Sequence, residues 1–231
     1  MLNMRIQKFL ANSGVCSRRA AEEAILKGLV KVNGEVIKEM GVKIDPEKDV
    51  VEYQGARIKG QEKKTYIKFH KPRGIECSMS PYKEDSLYQC FNFFKGRLFH
   101  VGRLDKDSSG LLLLTNDGAW SHKILHPRHE CFKEYIVETL FPVNSEMLKN
   151  LSKPMWFLGK RIQARQVVLL ASRRLKIVLG EGLNRQIRRM VEKVGNRVER
   201  LKRVSIGNIK LGSLEPGEWK YLTKPEICFL D

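Results

Sequence analysis

Apolar residues recur at helical spacing near the start of the chain. The spacing of Ile6, Phe9 and Leu10, at positions i, i+3 and i+4, predicts a short helix over residues 5–11. Ser17 is a favourable N-cap for a second helix that runs to Lys27, because its hydroxyl can accept a hydrogen bond from a free backbone N–H. The first thirty residues therefore predict a pair of helices.

Two strand patterns joined by a turn signal follow the helices. Residues 29–32 and 35–37 are rich in Val, Leu and Ile, and they flank the dipeptide Asn33-Gly34, which is typical of two-residue hairpin turns. Residues 49–53 alternate like a further strand. Together these elements predict a helix-helix-hairpin module that is too small to bury an active-site cleft.

The rest of the chain reads as a second, larger domain, which follows a polar stretch at residues 60–64 that we interpret as a linker. Its strand patterns lack the regular strand–helix alternation of a parallel sheet. We therefore predict an α+β protein, with the small module at residues 1–62 and a mixed, mainly antiparallel β-sheet domain at residues 63–231. The strand patterns fall at residues 65–69, 97–101, 111–114, 134–139, 166–170, 175–179 and 203–209, and the helical patterns at 120–125, 145–151 and 185–194.

The basic residues of the chain are concentrated in one segment. The 231 residues include 43 Lys and Arg and 26 Asp and Glu, which gives a net charge of +17. Residues 160–210 alone contain 15 basic and 3 acidic residues. Such a concentration favours a surface that follows phosphates, as in a nucleic-acid partner, over a uniformly basic solvated coat.

Several protein classes are disfavoured by the sequence. Its longest relevant apolar run, Leu111–Leu114, is far too short to cross a bilayer, and the first residues lack the apolar core of a secretory signal. The five cysteines are scattered and form no Cys-x-x-Cys pair, which argues against a disulfide framework and a thiolate zinc site. We therefore expect a cytoplasmic protein without a membrane partner.

The segment at residues 102–118 combines a polar loop with a fully apolar strand. Asp105 lies in this loop between Arg103 and Lys106, directly before the leucines of residues 111–114. A carboxylate held beside a buried strand and flanked by cations can act as a nucleophile or a base. The alternative from spacing alone is an ordinary loop aspartate that caps a turn.

A second segment places arginines on a helical pattern that follows two glycines. Arg185, Arg188 and Arg189 lie at i, i+3 and i+4, so we expect a guanidinium cluster at one edge of the helix. Such a cluster suits phosphates or the pairing of a buried carboxylate. An ordinary basic surface helix is the alternative.

The N-terminal module resembles the alpha-L RNA-binding motif, an S-four-type domain. The resemblance is carried by residues 5–10, 17–22 and 30–34, which include Arg5, Lys8, Arg18 and Arg19. It implies that these four basic residues contact RNA.

The larger domain resembles the pseudouridine synthase family, in the branch that modifies ribosomal RNA. Four motifs occur in the family order: Lys71-Pro72-Arg73-Gly74, residues 102–118, Lys133-Glu134-Tyr135, and residues 181–190. The resemblance implies a catalytic domain of pseudouridine synthase type that flips the target base and needs no cofactor and no metal.

Individual roles follow from this resemblance. Asp105 corresponds to the catalytic aspartate, Tyr135 to the aromatic residue that stacks on the target base, and Arg188 to the arginine that pairs with the aspartate. Five further basic residues of the motifs are expected to bind RNA: Lys71, Arg103, Lys133, Arg185 and Arg189. This chain departs from the family pattern at His70, where asparagine is frequent, at Ser108, where threonine is common, and at Glu134, where threonine is usual.

The resemblance implies conversion of uridine to pseudouridine in ribosomal RNA by a monomeric enzyme. The run at residues 182–190 favours 23S rRNA of the large subunit, free or in a precursor particle. The same chemistry on 16S rRNA or on a tRNA remains open, as does a non-catalytic ribosome-assembly factor. A metal-dependent nuclease is disfavoured because no cluster of carboxylates suited to two metals occurs.

Overall fold

The computed structural model describes residues 3–60, 63–157 and 159–229. They form two compact units: the first contains the described residues up to 65 together with 94–98 and 116–118, and the second contains the others. Residues 61 and 62 of the predicted linker lie outside the described residues. In the described part of the chain, no helix is both long enough and apolar enough to span a membrane.

The first unit consists of two helices and short antiparallel strands. Four strands form a sheet in the order β3-β2-β5-β6, and β1 pairs with β4. The elements are β1 (Met4–Arg5), α1 (Ile6–Asn12), α2 (Arg18–Leu26), β2 (Val30–Val32), β3 (Glu35–Ile37), β4 (Lys43–Ile44), β5 (Val51–Tyr53) and β6 (Ala56–Arg57).

Local chemistry explains these elements. The Ser17 hydroxyl accepts a hydrogen bond from the backbone N–H of Ala20 at 3.0 Å, so the predicted N-cap is confirmed. Asn33 and Gly34 have φ values of +51° and +88°, which is the left-handed pair that a two-residue hairpin turn requires. The predicted hairpin is thus confirmed, and the apolar faces of both helices pack with Val30, Ile44 and Val51 in one core.

The second unit contains a nine-stranded sheet with helices packed beside it. A 3-10 turn at Pro127–His129 follows the helix that carries Trp120. The elements are β7 (Tyr66–Lys71), α3 (Leu87–Phe91), β8 (Phe99–Val101), β9 (Ser109–Thr115), α4 (Gly118–Leu125), β10 (Lys133–Thr139), α5 (Ser145–Ser152), β11 (Met155–Phe157), β12 (Lys160–Ile162), β13 (Gln166–Ala171), β14 (Arg174–Leu179), α6 (Gln186–Lys193), β15 (Val198–Ile206), β16 (Ile209–Lys210), β17 (Trp219–Tyr221) and α7 (Lys224–Ile227).

The main path of this sheet runs β13-β14-β10-β15-β9-β7-β17, and only β15 and β9 pair in parallel among these described strands. Strand β8 also pairs with β9, and β16 with β15. The predicted mixed, mainly antiparallel sheet is therefore confirmed. The four leucines at 111–114 are fully buried, as the apolar run predicted, because β9 lies inside the sheet.

Several predicted boundaries differ from those of the structure, and two of the differences have a clear local cause. Strand β15 begins at Val198 instead of residue 203, because its alternation is interrupted by bulges opposite β10. Helix α6 begins at Gln186 instead of residue 185, because Arg185 adopts a left-handed φ of +52°.

Candidate active site

Asp105 lies in the loop between β8 and β9, where its side chain is 26% exposed. Its backbone carbonyl accepts a hydrogen bond from the N–H of Ser108 at 3.0 Å, which closes a turn. The buried Arg203 contacts both sides of this loop: Nε donates to the Leu111 carbonyl at 2.7 Å, and Nη1 donates to the Arg103 carbonyl at 3.4 Å. These contacts hold the backbone on both sides of Asp105.

Arg188 is buried on α6 and is directed at the Asp105 loop. Its Nη2 lies 3.1 Å from Oδ2 of Asp107 and donates to the Ser108 hydroxyl at 3.2 Å. Its Nε lies 3.9 Å from Oδ2 of Asp105 and has no hydrogen-bond partner among the described residues. Burial lowers the pKa of the Arg188 guanidinium, and the carboxylates of Asp107 and Asp105 act in the opposite direction. The two predicted partners therefore face each other at ion-pair distance.

A cavity of about 590 Å³ opens beside this pair. Tyr135 projects into it from β10 and is almost fully buried. The rest of the lining is mixed: basic groups stand beside apolar ones such as Leu179 and Ile187. A pocket with an aromatic wall, a carboxylate and several donors suits a flat polar ring such as a nucleobase. The predicted basic residues that line it are Arg103, Lys133 and Arg185.

Lys133 is partly buried in this cavity. Its ammonium donates to the Cys131 carbonyl at 2.9 Å. Burial lowers the pKa of Lys133, and the positive charge of Arg203 acts in the same direction. Lys133 and Arg203 both line the cavity, and they are respectively partly and almost fully buried.

Lys71 occupies a different environment from the one expected of an RNA contact. Its side chain has no exposed surface, and its ammonium donates to the carbonyls of Pro72, Ile75 and Lys106. Burial lowers its pKa. Because its ammonium donates to carbonyls on both segments, Lys71 ties the segment after β7 to the Asp105 loop. Since the side chain is fully buried, its ammonium is not placed to contact a phosphate.

Arg185 and Arg189 do not share one helical edge with Arg188. Arg185 precedes the helix in a left-handed conformation, is exposed, and lies 3.5 Å from Oδ1 of Asp107. Arg189 is on the helix and donates to the side-chain oxygen of Asn184 at 3.3 Å. The predicted cluster is therefore divided: Arg188 points inward, while Arg185 is accessible from solvent.

The predicted RNA-binding residues of the first unit are all exposed: Arg5, Lys8, Arg18 and Arg19. Arg5 is the N-cap of α1, and Arg18 and Arg19 begin α2. Neither helix has an acidic residue in its first turn, where acidic residues would stabilise a helix.

Sequence reasoning missed two residues of the site, Asp107 and Arg203. Asp107 was part of a recognised motif, but nothing in the spacing indicates that it contacts Arg188 more closely than Asp105 does. Arg203 carried a usable signal: it stands two residues after the buried Leu201 in a strand, so both point to the same face. A basic residue in such an inward position is unusual.

Within residues 3–60, 63–157 and 159–229, no group of three or more His, Cys, Asp or Glu side chains is arranged to hold a metal ion.

Comparison with known proteins gives concordant matches. The family model described as RNA pseudouridylate synthase matches residues 65–193, and the S4 domain model matches residues 4–51. The ribosomal large subunit pseudouridine synthase B of Bacillus subtilis is 37% identical, covering 96% of this chain and 93% of the relative. The ribosomal small subunit pseudouridine synthase A of Haemophilus influenzae is 35% identical, covering 97% and 98%.

A crystal structure of a pseudouridylate synthase is 35% identical and has a TM-score of 0.72, covering 99% of this chain and 100% of that one. The resemblances seen in the motifs are thus confirmed for both parts of the sequence. With a family model that spans more than half of its residues and relatives that align over nearly its whole length, the chain belongs to the RNA pseudouridine synthase family.

Proposed function

We propose that this enzyme converts a uridine of ribosomal RNA to pseudouridine, and that its target lies in 23S rRNA of the large subunit. The observation that carries the proposal is the Nε of buried Arg188 facing the Asp105 carboxylate at 3.9 Å beside a cavity walled by Tyr135. Since ribosomal RNA is the substrate, the process is ribosome biogenesis and its place is the cytoplasm.

The reaction is an isomerisation, so it consumes no second substrate. The bond between N1 of uracil and C1′ of the ribose breaks, the base turns, and a bond forms between C5 and C1′. The proton lost from C5 is balanced by the proton gained at N1. Two routes fit the geometry: Asp105 attacks C1′, or Asp105 removes the 2′ proton to give a glycal. Both routes need an ionised carboxylate.

The proposed roles follow from position. Tyr135 supplies a flat face on which an extruded uracil can stack, which offsets part of the cost of unstacking the base from the RNA. Its phenol is also the candidate acceptor for the C5 proton. Arg188 holds the Asp105 carboxylate in place, because its guanidinium is itself fixed by Asp107 and Ser108.

RNA binding is divided between two parts of the chain in this proposal. Residues 1–62 form the RNA-binding domain and residues 63–231 the catalytic domain. The exposed Arg5, Lys8, Arg18 and Arg19 contact phosphates from the first domain, and the S4 domain match supports this assignment. Arg103, Arg185 and Arg189 contact the RNA around the cavity, and the enzyme acts as a monomer.

The choice of large-subunit RNA rests on the run at residues 182–190 and on the large-subunit relative of Bacillus subtilis. The small-subunit relative of Haemophilus influenzae is almost as similar. We therefore treat 16S rRNA and tRNA as the competing substrates.

Asp105→Asn is expected to abolish conversion, with a loss of at least about 1,000-fold, because an amide cannot act as nucleophile or base. Purified protein is incubated without added metal with 23S rRNA, 16S rRNA or tRNA, and pseudouridine is mapped at nucleotide resolution. RNA affinity should persist in the variant, since it removes no cation. Asp85→Asn, the same change at an exposed residue that pairs with Lys106, should retain activity.

Binding without conversion on every RNA would instead favour an assembly factor. Conversion confined to 16S rRNA or tRNA would overturn the large-subunit assignment while leaving the chemistry intact. Full activity in Asp105→Asn would overturn the proposed role of the carboxylate.

A further inference from the structure

Arg203 and Tyr135 are cross-strand neighbours. In the antiparallel pair of β10 and β15 these two residues are direct partners in the register. Residues directly opposite each other in such a pair project from the same face of the sheet. Both side chains also line the 590 Å³ cavity that contains Asp105. The side chain of Arg203 therefore leaves the same face of the sheet as the ring proposed to stack on the target base, and both border the same cavity.

The guanidinium of Arg203 is not fully hydrogen-bonded. Only 3% of the residue is exposed, and its Nε and Nη1 donate to the carbonyls of Leu111 and Arg103. Its Nη2 is buried and has no hydrogen-bond partner among the described residues. A buried donor without an acceptor is costly, and in native proteins such a group calls for an explanation. A ligand that brings an acceptor into the cavity would supply one.

The chemistry of the missing acceptor follows from the location. A backbone phosphate is bulky and remains attached to the RNA strand, whereas an extruded base can enter the cavity beside Tyr135. Uracil has two carbonyl oxygens at its edge, and either can accept from a guanidinium. Lys133, another basic residue that lines the cavity, already donates to the Cys131 carbonyl, whereas Nη2 of Arg203 has no acceptor among the described residues.

We propose that Arg203 binds a carbonyl oxygen of the uracil ring through Nη2 while the base stacks on Tyr135. The proposal rests on the proposed conversion of uridine to pseudouridine. When the bond between N1 and C1′ breaks with its electron pair leaving on the base, negative charge spreads over N1 and both carbonyl oxygens. The guanidinium then stabilises the detached base more than the intact nucleotide, which lowers the barrier to cleavage.

The proposal is tested by a double-mutant cycle, in which a change at one substrate atom is combined with a change at Arg203. RNAs are prepared with uridine, 2-thiouridine or 4-thiouridine at the target position, because sulfur is the weaker hydrogen-bond acceptor. With the unaltered protein, single-turnover conversion of one of the two thio-RNAs should be about 10-fold slower than that of the uridine RNA. Arg203→Met should convert the uridine RNA about 10- to 100-fold more slowly and should lose the thio penalty.

Other roles for Arg203 give different results. A purely structural role in tying the loop would slow all three RNAs by one factor and leave the thio penalty in place, which would overturn the proposal. A phosphate contact would lower RNA affinity and reduce its salt dependence, with the rate of bound RNA unchanged, and would also overturn it. Absence of any conversion by the unaltered protein would refute the proposed function itself.

Two further variants serve as controls. Arg203→Lys keeps a cationic donor and should recover part of the rate and of the thio penalty, and it provides a second measurement where Arg203→Met folds poorly. Arg173→Met removes an exposed arginine that donates to the Thr139 carbonyl and pairs with Glu199. It lowers the net charge equally and should change neither the rate nor the thio penalty.

Discussion

Asp107 determines how Arg188 meets Asp105. The closer ion pair of the guanidinium is with Asp107, at 3.1 Å, whereas Asp105 lies at 3.9 Å. Since Ser108 and the Val198 carbonyl also accept from Arg188, the guanidinium has little freedom to move toward Asp105. The carboxylate proposed to react is therefore left without a short, bidentate bond and keeps lone pairs available for the substrate.

His70 is a buried titratable group in the motif that precedes the site. Its Nδ1–H donates to the Leu214 carbonyl at 2.7 Å, and only 2% of the residue is exposed. Burial lowers its pKa, and the positive charge of Lys202 acts in the same direction. The Leu214 carbonyl, Glu215 and Glu218 oppose this shift without reversing it.

The sign of the pH dependence follows from that lowered pKa. Above the ordinary histidine pKa of about 6.5, both folded and unfolded chains hold a neutral His70. As the pH falls below this value, the unfolded chain takes up a proton that the folded chain resists. The free energy of unfolding therefore decreases, by at most about 1.4 kcal/mol per pH unit for one group.

In His70→Asn we expect the free energy of unfolding to fall less steeply as the pH drops below about 6.5, because asparagine can donate to the Leu214 carbonyl but does not titrate. Urea unfolding at a series of pH values measures this effect. The variant should keep part of the slope, because burial also lowers the pKa of His100. An identical slope in His70→Asn would contradict the assignment.

At the scale of elements, the parallel pairing of β9 and β15 positions the candidate site. These strands pair in parallel at Lys202 with Ser109 and at Arg203 with Gly110. Gly110 has a φ of +107°, and a Cβ atom built on it would lie 2.2 Å from the Arg203 carbonyl oxygen. The close approach sets the Asp105 loop, which ends at β9, against the strand that carries Arg203.

Gly110→Ala is expected to destabilise the second unit by more than about 2 kcal/mol, because it combines an unfavourable φ with a backbone overlap. Gly217→Ala is the matched control, since Gly217 has a φ of +90° but, among the described residues beyond its two chain neighbours, no atom lies within 4 Å of the position that a Cβ would occupy. It should cost only about 1 kcal/mol. Chemical unfolding compares the two variants. Equal losses of unfolding free energy would show that the close approach of Gly110 to Arg203 tolerates a Cβ atom.

Long-range pairing limited what the sequence could predict about the fold. The helix pair and the hairpin were predictable because a cap, a turn dipeptide and apolar spacing act locally, as at Ser17 and Asn33. The short strand β17 was not, since it forms by pairing with β7 more than a hundred residues earlier. The start of β15 was missed for a similar reason, because bulges disturb its alternation.

The same distinction applies to the site. Asp105 and Tyr135 were identifiable because each belongs to a compact motif. For Arg203 the alternation with Leu201 indicated an inward position, but its place opposite Tyr135 and beside Gly110 is revealed only by the strand register. Lys71 belonged to a motif, yet the residues around it do not reveal that its ammonium is buried and donates to three carbonyl groups.

At the scale of the whole molecule, the basic residues of the segment at 160–210 divide into two groups by burial. Of the 15 basic residues at positions 160–210, Arg188 and Arg203 are buried and belong to the site, while the others are at least partly exposed. The first domain is nearly neutral, with 11 basic and 9 acidic residues at positions 1–62. Its contribution to RNA binding must therefore depend on where single cations stand, and not on its net charge.

That dependence predicts a difference between two variants of equal charge. Arg18→Ala with Arg19→Ala removes two exposed cations from the start of α2, whereas Lys38→Ala with Lys48→Ala removes two exposed cations elsewhere in the same domain. Each phosphate contact contributes about 0.7 to 0.9 to the slope of log affinity against log salt. The arginine variant should lose about 1 to 2 from that slope in RNA-binding titrations, and the lysine variant should keep it. Equal slopes in both would mean that the domain binds RNA through its overall charge.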